Sequence, residues 1–147
     1  MNQKHIEKMV RKCMTHLKKK GYELEITKAD VDNAVRITRA VNSGSGYGGR
    51  DTIQIPLQYW QTEKVGYEEY KSFNKCPVIG GREDANAEQT YWLITAHEVS
   101  HHVQYLKGDS VPWLKRIYSK PHGEGFRTIY SLLRSGLINP MLDGEKT

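Results

Sequence analysis

Apolar residues recur at helical spacing near both ends of the chain and in its centre, and alternate with polar residues between. Over residues 2–20, Ile6, Met9, Val10, Cys13, Met14 and Leu17 share one helical face. Lys4, Lys8, Arg11, Lys12, Lys18 and Lys19 share the other, and Gly21 is the stop. Alternation predicts three strands: 22–27 (Tyr22, Leu24 and Ile26 on one side), 34–41, and 51–58 with Ile53 and Ile55 together. Pro56 marks an edge or a bulge in the third. Residues 42–49 form a glycine-rich connection without the Gly-Lys-Ser/Thr ending of a phosphate loop; it reads as a flexible hairpin tip rimming a cleft.

Residues 87–107 contain no Gly or Pro and predict one long helix, capped by Asp84 or Asn86 and stopped by Gly108. Before it, Tyr59, Trp60, Tyr67, Tyr70 and Phe73 crowd a stretch of short helical character and read as core aromatics. After it comes a loop with a short helix over 113–118. Phe126, Ile129, Tyr130 and Leu133 then mark a final helix closed by Gly136, and Asn139 and Pro140 lead into a polar tail. The order predicts an α+β domain over residues 1–147: a small antiparallel sheet with an N-terminal helix, a long central helix and a C-terminal helix.

A chain of 147 residues fits one domain with a modest core. Mean hydropathy is −0.69, and no apolar run approaches the ~20 residues of a membrane span. The basic N-terminus has no apolar signal core behind it. Cys13 and Cys76 stand 63 positions apart and form neither a CxxC pair nor a disulfide framework, so a reducing, cytoplasmic setting is expected. The net charge of +5 arises from the first segment: residues 1–20 hold seven Lys or Arg against Glu7 alone, while the rest hold fifteen basic and sixteen acidic residues. That face is either the solvated back of a packed helix or an electrostatic footprint for nucleic acid.

The chemistry concentrates in His97-Glu98-Val99-Ser100-His101. Residues four apart share a helical face, so the two imidazoles can grip one metal ion. Glu98 points about 100° around and can reach a metal-bound water without being a ligand. Leu93 and Ile94 lie on the histidine face, which is therefore expected to point inward. A catalytic zinc takes three protein ligands and keeps one open position. His122, separated from His101 by twenty residues, is the leading third ligand, and Glu124 competes with it. His102 lies off the ligand direction, and His5 and His16 belong to the surface or boundary of the first helix.

His97-Glu-Val-Ser-His101 followed by His122-Gly-Glu-Gly-Phe126-Arg127 resembles the SprT-like (Spartan-type) zinc metalloproteases, whose helical His-Glu-x-x-His is followed by a His-Gly-x-x-Phe segment opening the next helix. The resemblance implies that His97, His101 and His122 bind one zinc ion and that Glu98 is the catalytic acid/base. It also implies a zincin-like domain with an edge strand that aligns a substrate peptide, for which 51–58 is the natural strand. The C-terminal zinc ribbon of many family members is missing, so any nucleic-acid contact is expected from the protease domain itself.

The expected reaction is peptide-bond hydrolysis by a Glu98-activated, zinc-bound water, with Tyr105, Tyr118 or Arg127 as oxyanion donor. Lys107, Lys115, Arg116 and Lys120 against Asp109 add positive charge between the second and third histidines. With Lys4, Lys8, Arg11, Lys12, Lys18 and Lys19 they make DNA, or proteins bound to it, the expected partner of a monomer that does not enter membranes. Three other readings are a zincin resembling the ImmA/IrrE type that cuts a specific repressor, a DNA-binding or inhibitor protein braced by a structural zinc, and a metal-free interaction protein.

Overall fold

The computed structural model describes residues 1–42, 44–57, 66–107 and 122–144. The expectations for Tyr59, Trp60, the stop at Gly108 and the helix over 113–118 lie outside the described residues. Helix α1 (Gln3–Lys20) forms where its apolar spacing predicts. Asn2 caps it by accepting from the His5 N–H, the Gly21 N–H closes it on the Leu17 carbonyl, and Lys18, Lys19 and Lys20 complement the dipole in its last turn. All six predicted apolar positions are buried.

Residues 23–27 keep the predicted alternation of burial, with Leu24 and Ile26 inside, but pair with no strand among the described residues. Tyr22–Leu24 is a single 3₁₀ turn, and Glu25 takes a left-handed φ of 52°, which ends any extended run. The second predicted strand is mostly helix. Thr27 and Asp30 form a reciprocal capping box that opens α2 (Lys28–Ile37), and only Thr38–Val41 remains as strand β1. Val31, Ala34 and Thr38 are buried at helical spacing, and their small or polar character hides that period among the alternating residues.

The sheet is mixed rather than antiparallel. Strand β3 (Ile53–Pro56) lies in the middle, parallel to β1 and antiparallel to the short β2 (Tyr47–Gly48). Thr38 faces Ile53 and Val41 faces Pro56, while β2 reaches only Ile53 and Gln54. Pro56 thus sits at a strand end where no β2 residue needs its missing N–H. The outer edge of β1 is covered by the Gln3 amide, which donates to the Thr38 carbonyl and accepts from the Ala40 N–H.

Helix α3 (Ala87–Lys107) is the central element and packs against α1, β2, β3 and the C-terminal helix. Its N-cap is Asn86: the Asn86 side chain accepts from the Gln89 N–H, and Gln89 returns the bond. It is buried on nearly every side, with Thr95, Ser100, His102 and Gln104 among the fully enclosed residues. No helix among the described residues is long and apolar enough to cross a membrane.

Helix α4 (Glu124–Leu133) buries Phe126, Ile129, Tyr130 and Leu133 as predicted. Gly136 does not end it. The chain widens into a π-helical turn (Arg134–Ile138) and continues as α5 (Asn139–Gly144), so the expected polar tail begins with a helix. The wide turn carries the backbone past Pro140, whose ring and missing N–H would break a regular α-helix.

Both cysteines are free. Burial pushes the Cys13 thiol up to about 12, whereas backbone N–H groups of Ile79 and Val78 hold the less buried Cys76 thiol below its usual value. Ellman's reagent under native conditions should modify Cys76 more than about tenfold faster than Cys13. Equal rates would contradict this packing of α1.

Candidate metal centre

His97 and His101 stand on successive turns of α3, and His122 enters from the residue pair before α4. Their Nε2 atoms converge: 3.2 Å from His97 to His101, 3.2 Å from His97 to His122 and 3.0 Å from His101 to His122. The three rings are close enough to hold one metal ion. Aromatic packing sets their planes. Phe126 stacks on His101 with centroids 4.3 Å apart, and Tyr70 covers His122 at 3.6 Å.

Behind His97 lies a carboxylate that the sequence reading passed over. The Glu69 side chain is fully buried, and its two oxygens each lie 3.2 Å from His97 Nδ1. Tyr67 and Tyr130 hydroxyls bond to it at 2.5 and 2.6 Å, and the Tyr70 N–H reaches it at 3.3 Å. Tyr130 in turn accepts from Arg134, which is 1% exposed and also donates to Asn139 and the Gly80 carbonyl. Position 69 falls between Tyr67 and Tyr70 in the aromatic stretch, and a glutamate there carries no sequence signal of burial.

Glu98 lies on the cleft between the histidines and the glycine-rich segment. Gly46 sits so close that a Cβ there would stand 2.5 Å from Glu98 Oε2. A Cβ on Gly48 would overlap the Glu98 carbonyl oxygen and crowd His101 Cβ at 2.9 Å. These two glycines let β2 lie flat on α3. The predicted cleft rim is therefore present, but its edge strand is β2, and β3 is the interior strand. The cleft, about 460 Å³, also includes Tyr47, Tyr70 and Tyr105.

Burial governs the charges here. It pushes the Glu98 carboxyl up to about 7, with Glu69's charge adding and His97 opposing. Burial lowers His101 to about 2 and His122 to about 4, and the neighbouring histidines add to both shifts. For Glu69, burial works upward but is outweighed by the hydrogen bond and charge of His97 and by the two tyrosine hydroxyls, so the carboxyl lies below its usual range. His102 is enclosed, bonded to the Gly49 carbonyl at 2.7 Å and outside the three-histidine cluster.

The other predicted residues divide. Tyr105 lines the cleft; Tyr118, Lys115, Arg116, Lys120 and Asp109 lie outside the described residues. Arg127 donates to Ser72 and lies over the Phe73 ring. With the exposed Glu124 it lines a separate groove of about 720 Å³ that includes none of the three histidines. Glu124 is not in the metal cluster. Lys107 is the last residue of α3, bonded to Asp30 and the Glu25 carbonyl rather than placed on a charged loop. Lys4, Lys8, Arg11, Lys12, Lys18 and Lys19 are all exposed on α1, with Arg11 paired to Asp32. Lys8, Arg11, Lys12 and Lys19 border a groove of about 410 Å³ floored by Leu137. No family model, no curated protein and no solved structure matches the chain.

The metal-free protein should lose stability on mild acidification. Between their folded and unfolded values, His101 and His122 bind protons only in the unfolded chain, so stability falls as pH drops below about 6.5. Glu98 works the other way between about 7 and 4.5, because its folded form keeps the proton. Glu98→Gln should therefore approach wild type near pH 4 and exceed it at pH 8, by about 3 kcal/mol or about 6–12 °C in Tm. Thermal unfolding after chelator treatment measures this, and a variant advantage that shrinks with rising pH would refute the burial of Glu98.

Proposed function

We propose that this chain is a zinc-dependent peptidase with a zincin-type centre, akin to the SprT-like proteases. The observation that carries the reading is the convergence of three histidine Nε2 atoms, 3.0–3.2 Å apart, beside the buried carboxyl of Glu98. Three neutral imidazoles suit zinc, and ligands tetrahedrally placed 2.0–2.1 Å from one ion stand about 3.3 Å apart. The cluster has three protein donors, which leaves a fourth position for water or substrate. The resemblance of the segments 97–101 and 122–127 to the SprT-like motifs supports the same assignment.

His97, His101 and His122 would hold the ion, and when bound it would supply Lewis acidity toward a water and a peptide carbonyl. Glu98 would take up a proton from water and hand it to the leaving amine. Tyr105, on the same cleft, is the proposed hydrogen-bond donor to the developing oxyanion. The sheet edge at β2, where Tyr47 is exposed, is the proposed docking strand for an extended substrate main chain. The glycine-lined contact with Glu98 brings that peptide over the general base. The cationic face of α1 supports proteins associated with DNA as the substrates.

Purified wild-type protein should contain about one zinc per chain by elemental analysis, and His122→Ala should lose most of it. Glu98→Gln should retain the ion and cut hydrolysis of an unfolded protein substrate by about 10²–10⁴-fold. Near-native turnover in that variant would make the zinc a structural brace instead.

DNA binding should weaken steeply between 50 and 200 mM salt, and Lys8→Ala combined with Lys12→Ala and Lys19→Ala should flatten the salt slope by about 3. Absence of binding at low salt removes the DNA-associated substrate class and leaves the hydrolytic reading untouched.

A further inference from the structure

We propose that Glu69 is a positioning residue for the metal centre, fixing His97 as the Nδ1–H tautomer so that its Nε2 lone pair faces the ion. The inference rests on the metal reading above and names what orients one of its ligands. It follows from the donor count around a single carboxylate. An arginine has only donors, so the Tyr130 hydroxyl must accept from Arg134 and spend its own hydrogen on Glu69. Tyr67 donates to the same oxygen, and the Tyr70 N–H takes the other. With these donors converging on a fully enclosed carboxylate, the remaining partner, His97 Nδ1, donates as well. A ring protonated at Nδ1 presents its lone pair at Nε2, the atom that meets His101 and His122.

The arrangement singles out His97. His101 Nδ1 is buried without a hydrogen-bond partner, and its ring is held by stacking on Phe126. Glu69 reaches into the site from outside α3, and Arg134 ties it to the π-helical turn through Tyr130. Asn139 keeps that arginine in place, accepting from its Nε while donating to the Val78 carbonyl. The carboxylate therefore cannot swing away without leaving buried donors unmet. Such a partner behind a ligating imidazole raises its basicity and fixes its plane.

The test has two arms. Long-range ¹H–¹⁵N correlation spectra of the metal-free full chain should show His97 as the Nδ1–H tautomer, and Glu69→Gln should mix or reverse it. Competition with a chromophoric chelator should show zinc and cobalt(II) bound about 10–100-fold more weakly by Glu69→Gln, with partial recovery in Glu69→Asp. Tyr130→Phe, which keeps the carboxylate, should lose less affinity and covers the case in which Glu69→Gln does not fold. An Nε2–H tautomer in the wild type, or unchanged metal affinity in a folded Glu69→Gln, overturns the proposal. Wild-type protein that takes up neither metal overturns the metal reading instead, and the tautomer arm still judges the role of Glu69.

Discussion

Three histidine ring nitrogens held 3.0–3.2 Å apart crowd their polar edges into one spot, so the rest of the structure must impose that approach. Two come from one helix, where a four-residue spacing brings them together without further help. The third, His122, arrives from a different segment and is held by Tyr70 above and Phe126 beside it. The long helix can serve as an anvil because it is enclosed by α1, the sheet and α4. A helix that must be rigid at its middle is here buried at its middle, and its polar enclosed residues bond locally, as Ser100 does to the Ala96 carbonyl.

How much of this the sequence discloses depends on how local the cause is. The first helix, the central helix and the apolar face of α4 follow from period and caps alone, and every predicted core position on α1 and α4 is buried. The His97, Glu98 and His101 constellation is equally local. His122 was legible as the leading third ligand from its place at the mouth of the final helix, and the structure brings it to the other two. The alternation over 34–41 misled because Ala34 and Thr38 carry a helical stripe in residues too small or polar to announce it. Thr27-x-x-Asp30 was the available correction, since a capping box reports helix onset directly.

What the sequence withheld is non-local. Strand order cannot be read from three short apolar runs, and the interior place of β3 depends on a parallel pairing with β1 across a glycine-rich connection. Gly46 and Gly48 look like flexibility in the sequence, yet their role is proximity, because any side chain there would occupy Glu98's space. Glu69 is the clearest case. The aromatics that flank it announce a core without marking the acid between them, and its burial exists only because Tyr67, His97 and Tyr130 meet from three segments.

The widened turn at Arg134–Ile138 bears on how this chain can vary in length. Such a turn is an α-helix that has absorbed one additional residue, seen here in the Asn139 N–H reaching back five positions to the Arg134 carbonyl. Removing any one residue of the five would swing everything after it by about 100°. Asn139 would then no longer come round to Arg134. Spacing in this stretch is thus information in its own right, separate from residue identity: a substitution changes one side chain, whereas a deletion rephases a helix whose far end is wired to the first histidine.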